Sequence, residues 1–293
     1  MITTQNGSLS MAIRVTPLSD AIGAEVEGVD LSQPVEGEAF AQIHRAHLDH
    51  GVLLFRGQDL TPEQHIAFSG RFGEHEIHVM SQFLLAGHPE LLLVSNLKND
   101  KGEAVGIADA GRYWHSDLSY NAKPSMGSML YAMEVPPERG DTTFAGMCAA
   151  YDGLPENRKT ELGKLRATHH FGYRWNKEVA KWGLRPAMTQ EQLDKSPPAE
   201  HPMIRTHPET NRKLIFAGGF CSGVIGMDEK EGEDLIDELT EFSTQPEFVY
   251  VHKWRAGDLV FWDNRCAMHL ASDYDPQYRR HMRRTTLKGD APF

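Results

Sequence analysis

Three cysteines in 293 residues, Cys148, Cys221 and Cys266, are too few and too far apart to suggest a disulfide framework. No Cys-x-x-Cys pair is present to suggest a thiolate metal site. No apolar run approaches the roughly 18 residues of a membrane span. The opening residues, MITTQNGSLSMAIRV, lack the basic-then-apolar order of a secretory signal, so a reducing cytoplasm is the expected compartment and no membrane partner is expected. Positive charge is also short: 30 Lys and Arg against 41 Asp and Glu leave a formal net charge of −11. That balance argues against nucleic acid, whose binding rests on neutralising phosphates with a basic surface. A small anion is not excluded, because screening beyond about 10 Å lets a local arginine cluster dominate a pocket on an acidic surface.

What is present suits a folded enzyme-sized domain. Hydrophobic residues make up 40% and charged residues 24% of the chain. Residues 1–12 read as a polar, flexible leader and 13–293 as one domain, with no repeat and no linker-like stretch. Phe40, Ile43, Ala46 and His47 recur at helical spacing within 39–50. Thr61-Pro62-Glu63-Gln64 is a helix start, with a run expected to about Phe72. Further helices are expected over 146–166 and 229–242. Short apolar runs predict strands at Val52–Phe55, Leu91–Val94, Ser128–Met133, Lys213–Ala217, Phe248–Lys253, Asp258–Trp262 and Arg284–Lys288. Residues 98–112 are polar and glycine-rich and read as a mobile loop, while 171–200, with Trp175 and Trp182, resist assignment. Many short strands with a few helices predict a mainly β (α+β) fold: a double-stranded β-helix, or jelly roll, decorated by helices.

The most informative stretch is Trp114-His115-Ser116-Asp117. On a strand, residues two apart share a face, so His115 and Asp117 would present an imidazole and a carboxylate side by side. Another histidine would complete a two-His, one-carboxylate face, which leaves positions open for co-substrate and dioxygen as in non-haem iron(II) oxygenases. His-x-Asp alone is a weak signal, and the bland reading is a hydrogen-bonded surface pair. The same pattern at His47 falls on a helix, where residues two apart diverge, and the His-x-Glu pairs at His88 and His207 straddle prolines.

Towards the C-terminus, WRAGDLVFW leads through Asp263-Asn264-Arg265 to His269, and then to Arg279-Arg280-His281-Met282-Arg283-Arg284-Thr285-Thr286. On a strand, positions 280, 282, 284 and 286 face one way, bringing two guanidiniums to the mouth that holds His269. A guanidinium binds a carboxylate through two parallel charge-assisted bonds. Arg279 and Arg283 would then turn to solvent. The competing reading of the whole run is a solvated basic edge strand.

Together these pieces resemble the taurine dioxygenase family, which includes the chlorophenoxyacetate dioxygenases. The matching motifs are Gly23-Ala24-Glu25-Val26 with Gly28-Val29-Asp30-Leu31; Arg71-Phe72-Gly73; Trp114-His115-Ser116-Asp117; Gly140-Asp141-Thr142; Arg205-Thr206-His207-Pro208; Trp262-Asp263-Asn264-Arg265; His269; and Arg280–Thr286. They occur in the family's order over nearly the whole chain. The resemblance implies a dioxygenase that uses Fe(II), 2-oxoglutarate and dioxygen. It implies that His115, Asp117 and His269 ligate iron(II), and that Thr142 and Arg280 hold 2-oxoglutarate. Arg284 would pair with the substrate's anionic group, and His78 matches a substrate-contacting histidine. The aromatic residue expected three positions after that histidine is Ser81 here, which points away from taurine and leaves a carboxylate, sulfonate or similar anion. Enzymes of this kind are often dimers or tetramers, so a homo-oligomer is expected. Desaturation at the same metal site, and a non-catalytic metal- or anion-binding protein on the same scaffold, are the alternatives. His169-His170 and Cys266 read as structural residues, since adjacent strand residues face opposite sides and cysteine is commonly buried.

Overall fold

The computed structural model describes residues 12–174, 189–194 and 197–293, so the expected leader, apart from Ala12, and both Trp175 and Trp182 lie outside the described residues. The N-terminal half runs β1 (Arg14–Pro17), β2 (Ala24–Glu27), α1 (Gly37–His50), β3 (Val52–Phe55), α2 (Pro62–Ser69), β4 (Leu84–Leu85), β5 (His88–Ser95) and β6 (Gly127–Glu134). The middle runs β7 (Thr142–Gly146), α3 (Met147–Gly153), α4 (Glu156–Leu162), β8 (Arg166–His169), α5 (Phe171–Arg174), α6 (Gln190–Asp194) and β9 (Ala199–Pro202). It closes with β10 (Ile204–Thr206), β11 (Lys213–Ile215), β12 (Cys221–Val224), α7 (Glu229–Ser243), β13 (Val249–His252), β14 (Leu259–Asp263), β15 (Ala267–Ala271) and β16 (His281–Leu287).

The result is a mixed, sheet-rich fold with few helices. An eight-stranded sheet has the order β1-β2-β3-β14-β6-β16-β5-β4, and a three-stranded sheet has the order β13-β7-β15. Two smaller sheets, β12-β8-β9 and β10-β11, complete it. The apolar runs that signalled strands are continuous because both faces of the large sheet are covered. Alternate residues of β3, β6 and β14 go to different cores. Leu53, Phe55, Met129, Tyr131, Leu259 and Phe261 pack with residues of α1 and α2. Val52, Leu54, Leu130, Ala132, Val260 and Trp262 pack instead with Phe144 of β7 and Ala267 of β15. This second core seats the three-stranded sheet, and with it His269, against the large sheet.

Three expectations are corrected. α2 ends at Ser69 rather than Phe72, because the last turn tightens: Arg71 and Phe72 donate to carbonyls three residues back, Phe68 and Ser69. The expected helix over 146–166 is two helices and the start of β8, broken at Leu154-Pro155, where the residue before proline disfavours helical backbone. Residues 98–112 are not a free loop. Val105 donates to Leu97, Ile107 to Leu93, and Ser95 to Ile107, so the segment lies along β5. Gly106 permits that approach, since a Cβ there would stand 2.6 Å from the Leu93 carbonyl oxygen.

Candidate metal centre and pocket

His269 sits in β15, and His115 reaches it through a single antiparallel bridge. The His115 amide donates to the His269 carbonyl at 3.1 Å, and the His115 carbonyl accepts from the His269 amide at 2.8 Å. The strand expected at Trp114–Asp117 is therefore reduced to one bridging residue, and the same-face argument does not hold. Asp117 lies in a turn, and Leu118 after it takes a left-handed backbone with φ 56°. Gly219 makes room for this segment: its amide donates to the Trp114 carbonyl, and a Cβ would stand 2.6 Å from that oxygen.

His115, Asp117 and His269 converge, each buried, with one ligand atom apiece lying within 4.8 Å of the others. The Nδ1 of His115 is 2.7 Å from the Tyr113 carbonyl oxygen. A carbonyl can only accept, so Nδ1 carries the proton and Nε2 keeps its lone pair. That Nε2 is 3.7 Å from Asp117 Oδ1. His269 Nδ1 is buried without a hydrogen-bond partner among the described residues, and its ring packs against His115, Trp262 and Phe144. Burial lowers the pKa of both imidazoles and keeps them neutral. Burial alone would raise Asp117, but the Arg284 guanidinium above all, with the neighbouring imidazoles and the Ser128 hydroxyl, outweighs it and holds the carboxyl ionised. Two neutral imidazoles and one carboxylate are a donor set suited to iron(II) with open positions.

Residues that motif reasoning left without a role hold the carboxylate in place. Ser128 Oγ of β6 donates to Asp117 Oδ2 at 2.7 Å, and the Asp117 amide donates to Asn264 Oδ1 at 3.0 Å. Asn264 Oδ1 also accepts from Trp262 Nε1, while its amide nitrogen reaches Ser125 and Ser128. The Trp262–Arg265 motif was legible, but Asn264's part in it was not, and nothing in sequence marks Ser128 beyond a strand position.

Arg284 of β16 lines the same pocket and places Nη1 3.2 Å from Asp117 Oδ1. His78 lines it too. Its Nδ1 accepts the Met80 amide, and burial, with Arg284 close by, pushes its pKa down to about 4. Leu92, Ile107, Leu118, Tyr120, Phe171 and Phe220 line the pocket as well, with Asp109 among them, around about 730 Å³ of space partly open to solvent.

Arg280 and Thr142 lie elsewhere and do not line this pocket among the described residues. Arg280 precedes β16, its backbone clamped in both directions to Asn96, and its guanidinium lies 5.7 Å from the centre of the Tyr274 ring. Nε has no hydrogen-bond partner among the described residues, and burial lowers the pKa to about 10. A buried guanidinium left short of acceptors fits a ligand carboxylate. The Thr142 hydroxyl accepts from Trp254 Nε1 at 3.0 Å and keeps its own hydrogen to donate. Arg279 is exposed as expected, but Arg283 is buried. It donates to the Leu60 carbonyl and lies 4.8 Å from the Tyr131 ring centre, because α2 and its neighbours cover the face that was expected to meet solvent.

A second cluster, His207, Asp263 and Cys266, has similar spacing but different chemistry. His207 Nδ1 accepts the amides of Glu209 and Thr210, so Nε2 donates to Asp263 at 3.1 Å. Arg265 takes both oxygens of the same carboxylate. The imidazole therefore keeps no free lone pair for a metal. Cys266 is only partly buried, rather than in the core as expected, and His169 is a buried structural histidine.

The family described as taurine catabolism dioxygenase TauD, TfdA family matches residues 14–286. The alpha-ketoglutarate-dependent 2,4-dichlorophenoxyacetate dioxygenase of Cupriavidus pinatubonensis is 39% identical over 291 residues, spanning 96% of this chain and 99% of that protein. The (S)-phenoxypropionate/alpha-ketoglutarate-dioxygenase of Sphingobium herbicidovorans is 31% identical over 300 residues, spanning 96% and 97%. Among solved structures, AAD-2 in complex with Mn(II) and N-oxalylglycine is similar with a TM-score of 0.82 at 35% identity, covering 96% of this chain and 99% of that one.

Proposed function

This chain belongs to the TauD, TfdA dioxygenase family, and we propose that its pocket oxidises a small organic anion whose charged group pairs with Arg284. It is an Fe(II)- and 2-oxoglutarate-dependent dioxygenase. The observation that carries the residue assignments is the convergence of two neutral imidazoles and an ionised carboxylate beside a guanidinium, in a pocket also lined by Leu92, Ile107, Leu118, Phe171 and Phe220.

In this reading His115, Asp117 and His269 hold the metal. Arg280 and the Thr142 hydroxyl hold the distal carboxylate of 2-oxoglutarate. With iron(II) and 2-oxoglutarate bound, the site supplies dioxygen activation and the oxidising power for C–H hydroxylation, with succinate and carbon dioxide as co-products. The protein's own part is to orient and to exclude water. Tyr113 fixes the His115 tautomer, and Ser128 and Asn264 fix the carboxylate's rotation. His78, neutral and with Nδ1 accepting, offers its Nε2 hydrogen to the substrate anion alongside Arg284. The apolar wall suits a carbon skeleton larger than that of a two-carbon sulfonate. Since two relatives are named for 2,4-dichlorophenoxyacetate and phenoxypropionate, aryloxyalkanoates are the first compounds to test. Where the hydroxylated carbon bears an ether oxygen, the product collapses to an aldehyde or ketone and releases the alcohol.

The β13-β7-β15 sheet, seated on the large sheet through the Phe144 and Trp262 core, supports a double-stranded β-helix within one domain spanning 13–293. A cytoplasmic dimer or tetramer is proposed, to be checked by light scattering. No helix among the described residues is long and apolar enough to cross a membrane.

The deciding experiment is an anaerobic titration of metal-free protein with iron(II) and then 2-oxoglutarate, following the weak visible charge-transfer band of the chelate. A band in the parent that is absent in His115→Ala supports the assignment. Iron binding without a band would rule out Arg280 and Thr142 as the co-substrate site.

A further inference from the structure

The turn that carries Asp117 is gripped from behind by two buried histidines on neighbouring strands. His201 of β9 places Nε2 2.9 Å from the Ser119 carbonyl oxygen and 3.0 Å from that of Asn121. Both partners can only accept, so this nitrogen carries a proton and bridges two carbonyls across the turn. His169 of β8 places Nδ1 3.1 Å from Ser119 Oγ, with Nε2 3.4 Å from Cys221 Sγ. The two rings pack edge to face 5.0 Å apart, and both pack on Phe216. His169 pairs with Ala199, and His201 with Ala167, in the β8–β9 register.

What they hold is strained and functional. Leu118 has a left-handed backbone, which a γ-branched side chain adopts only when its surroundings impose it. Leu118 and Tyr120 both line the substrate pocket, and Tyr120 packs on Phe171 and Phe220 at 4.8 and 4.9 Å. Asp117, by contrast, has its own supports in Ser128 and Asn264. Removing the bridge should therefore loosen the pocket wall more than the metal ligand.

We propose that His201, backed by His169, is a positioning residue that holds the Leu118–Asn121 turn and so shapes the wall against which the substrate's carbon skeleton lies. The role concerns the pocket assigned above and rests on that reading. Its geometry is local: one N–H donated to the two carbonyls that flank Tyr120, just after the left-handed Leu118.

The test uses the full chain with His201→Ala and with His201→Gln, whose side-chain amide keeps a donor. Hydrogen exchange of the Leu118–Asn121 amides needs no ligand. It should quicken in His201→Ala and be partly restored in His201→Gln, with far-ultraviolet circular dichroism unchanged. Calorimetry with Mn(II), then with 2-oxoglutarate, then with 2,4-dichlorophenoxyacetate as probe should show the last affinity weakened about tenfold, the cost of one lost buried hydrogen-bond anchor. Mn(II) affinity should stay within about twofold. Unchanged exchange in His201→Ala overturns the clamp. Quickened exchange with an unchanged probe affinity, or with equal losses for Mn(II) and probe, overturns the positioning role. If His201→Ala does not fold, the same comparison is read from His201→Gln and Ser119→Ala, and parental values in both overturn the proposal. If the parent binds no Mn(II) at all, the metal-site reading fails, while hydrogen exchange still decides the clamp.

Discussion

Arg284 and Asp117 form a partly buried ion pair in the pocket lining, with Nη1 3.2 Å from Oδ1. The guanidinium assigned to the substrate anion thus already neutralises the carboxylate assigned to the metal. Its Nε remains without a partner, so it keeps donor capacity for a ligand. Arg284→Gln is expected to raise the KM for an anionic substrate by tenfold or more, roughly the effect of losing a charge-assisted bond. It should leave Mn(II) affinity equal or stronger, since the positive charge beside the metal site is gone. Calorimetry on the variant decides it: a large fall in Mn(II) affinity would mean that Arg284 mainly orders Asp117.

Arg280 is buried, lacks a partner at Nε and stacks on Tyr274. Arg280→Gln should raise the KM for 2-oxoglutarate about a hundredfold, about 3 kcal/mol, with the KM for the primary substrate little changed. Steady-state kinetics varying each compound in turn separates the two. Equal effects on both would show that Arg280 acts on the pocket as a whole.

Arg283 sits on the other face of the same strand, over Tyr131 and against the Leu60 carbonyl. Arg283→Met keeps volume and removes the buried charge, and should change stability by less than about 1.5 kcal/mol. Arg283→Glu places a carboxylate near Glu63 and Asp59, which already interact with this position, and should cost about 3 kcal/mol or more. Denaturant unfolding reads both. Equal losses would assign the arginine a charge-specific structural role.

His47, His65 and His169 are buried, and burial lowers each from 6.5 to about 3. Below pH 6.5 the unfolded chain takes up these protons while the folded chain does not until about pH 3. The unfolded state therefore binds more protons, and stability falls as pH drops through that window. Each histidine contributes about 1.4 kcal/mol per pH unit well inside it. The Tm of the metal-free protein should fall steeply between pH 7 and pH 5. A flat profile would mean these rings are hydrated.

The strands β3, β6 and β14 were legible as short apolar runs, because a strand covered on both faces is apolar at successive positions. Such a run could not say what covers a face. Arg283 alternates with Arg284 as the pleat requires, yet α2 and the Tyr131 layer bury it. His115 and Asp117 show the reverse case. The residue types announced a metal centre, while the strand that was to align them shrank to one bridge and a left-handed turn.

Sequence alone determined the donor chemistry: two imidazoles, a carboxylate and arginines at motif spacing, in an acidic chain poor in cysteine and without a spanning apolar run. Tertiary structure alone decided how those donors meet. Asn264, His169 and His201 come from segments far along the chain and Ser128 from the strand after the turn, and each acts by a hydrogen bond that no local pattern encodes. Propensity and periodicity report short-range backbone geometry, whereas convergence and burial depend on which distant segments close over one another.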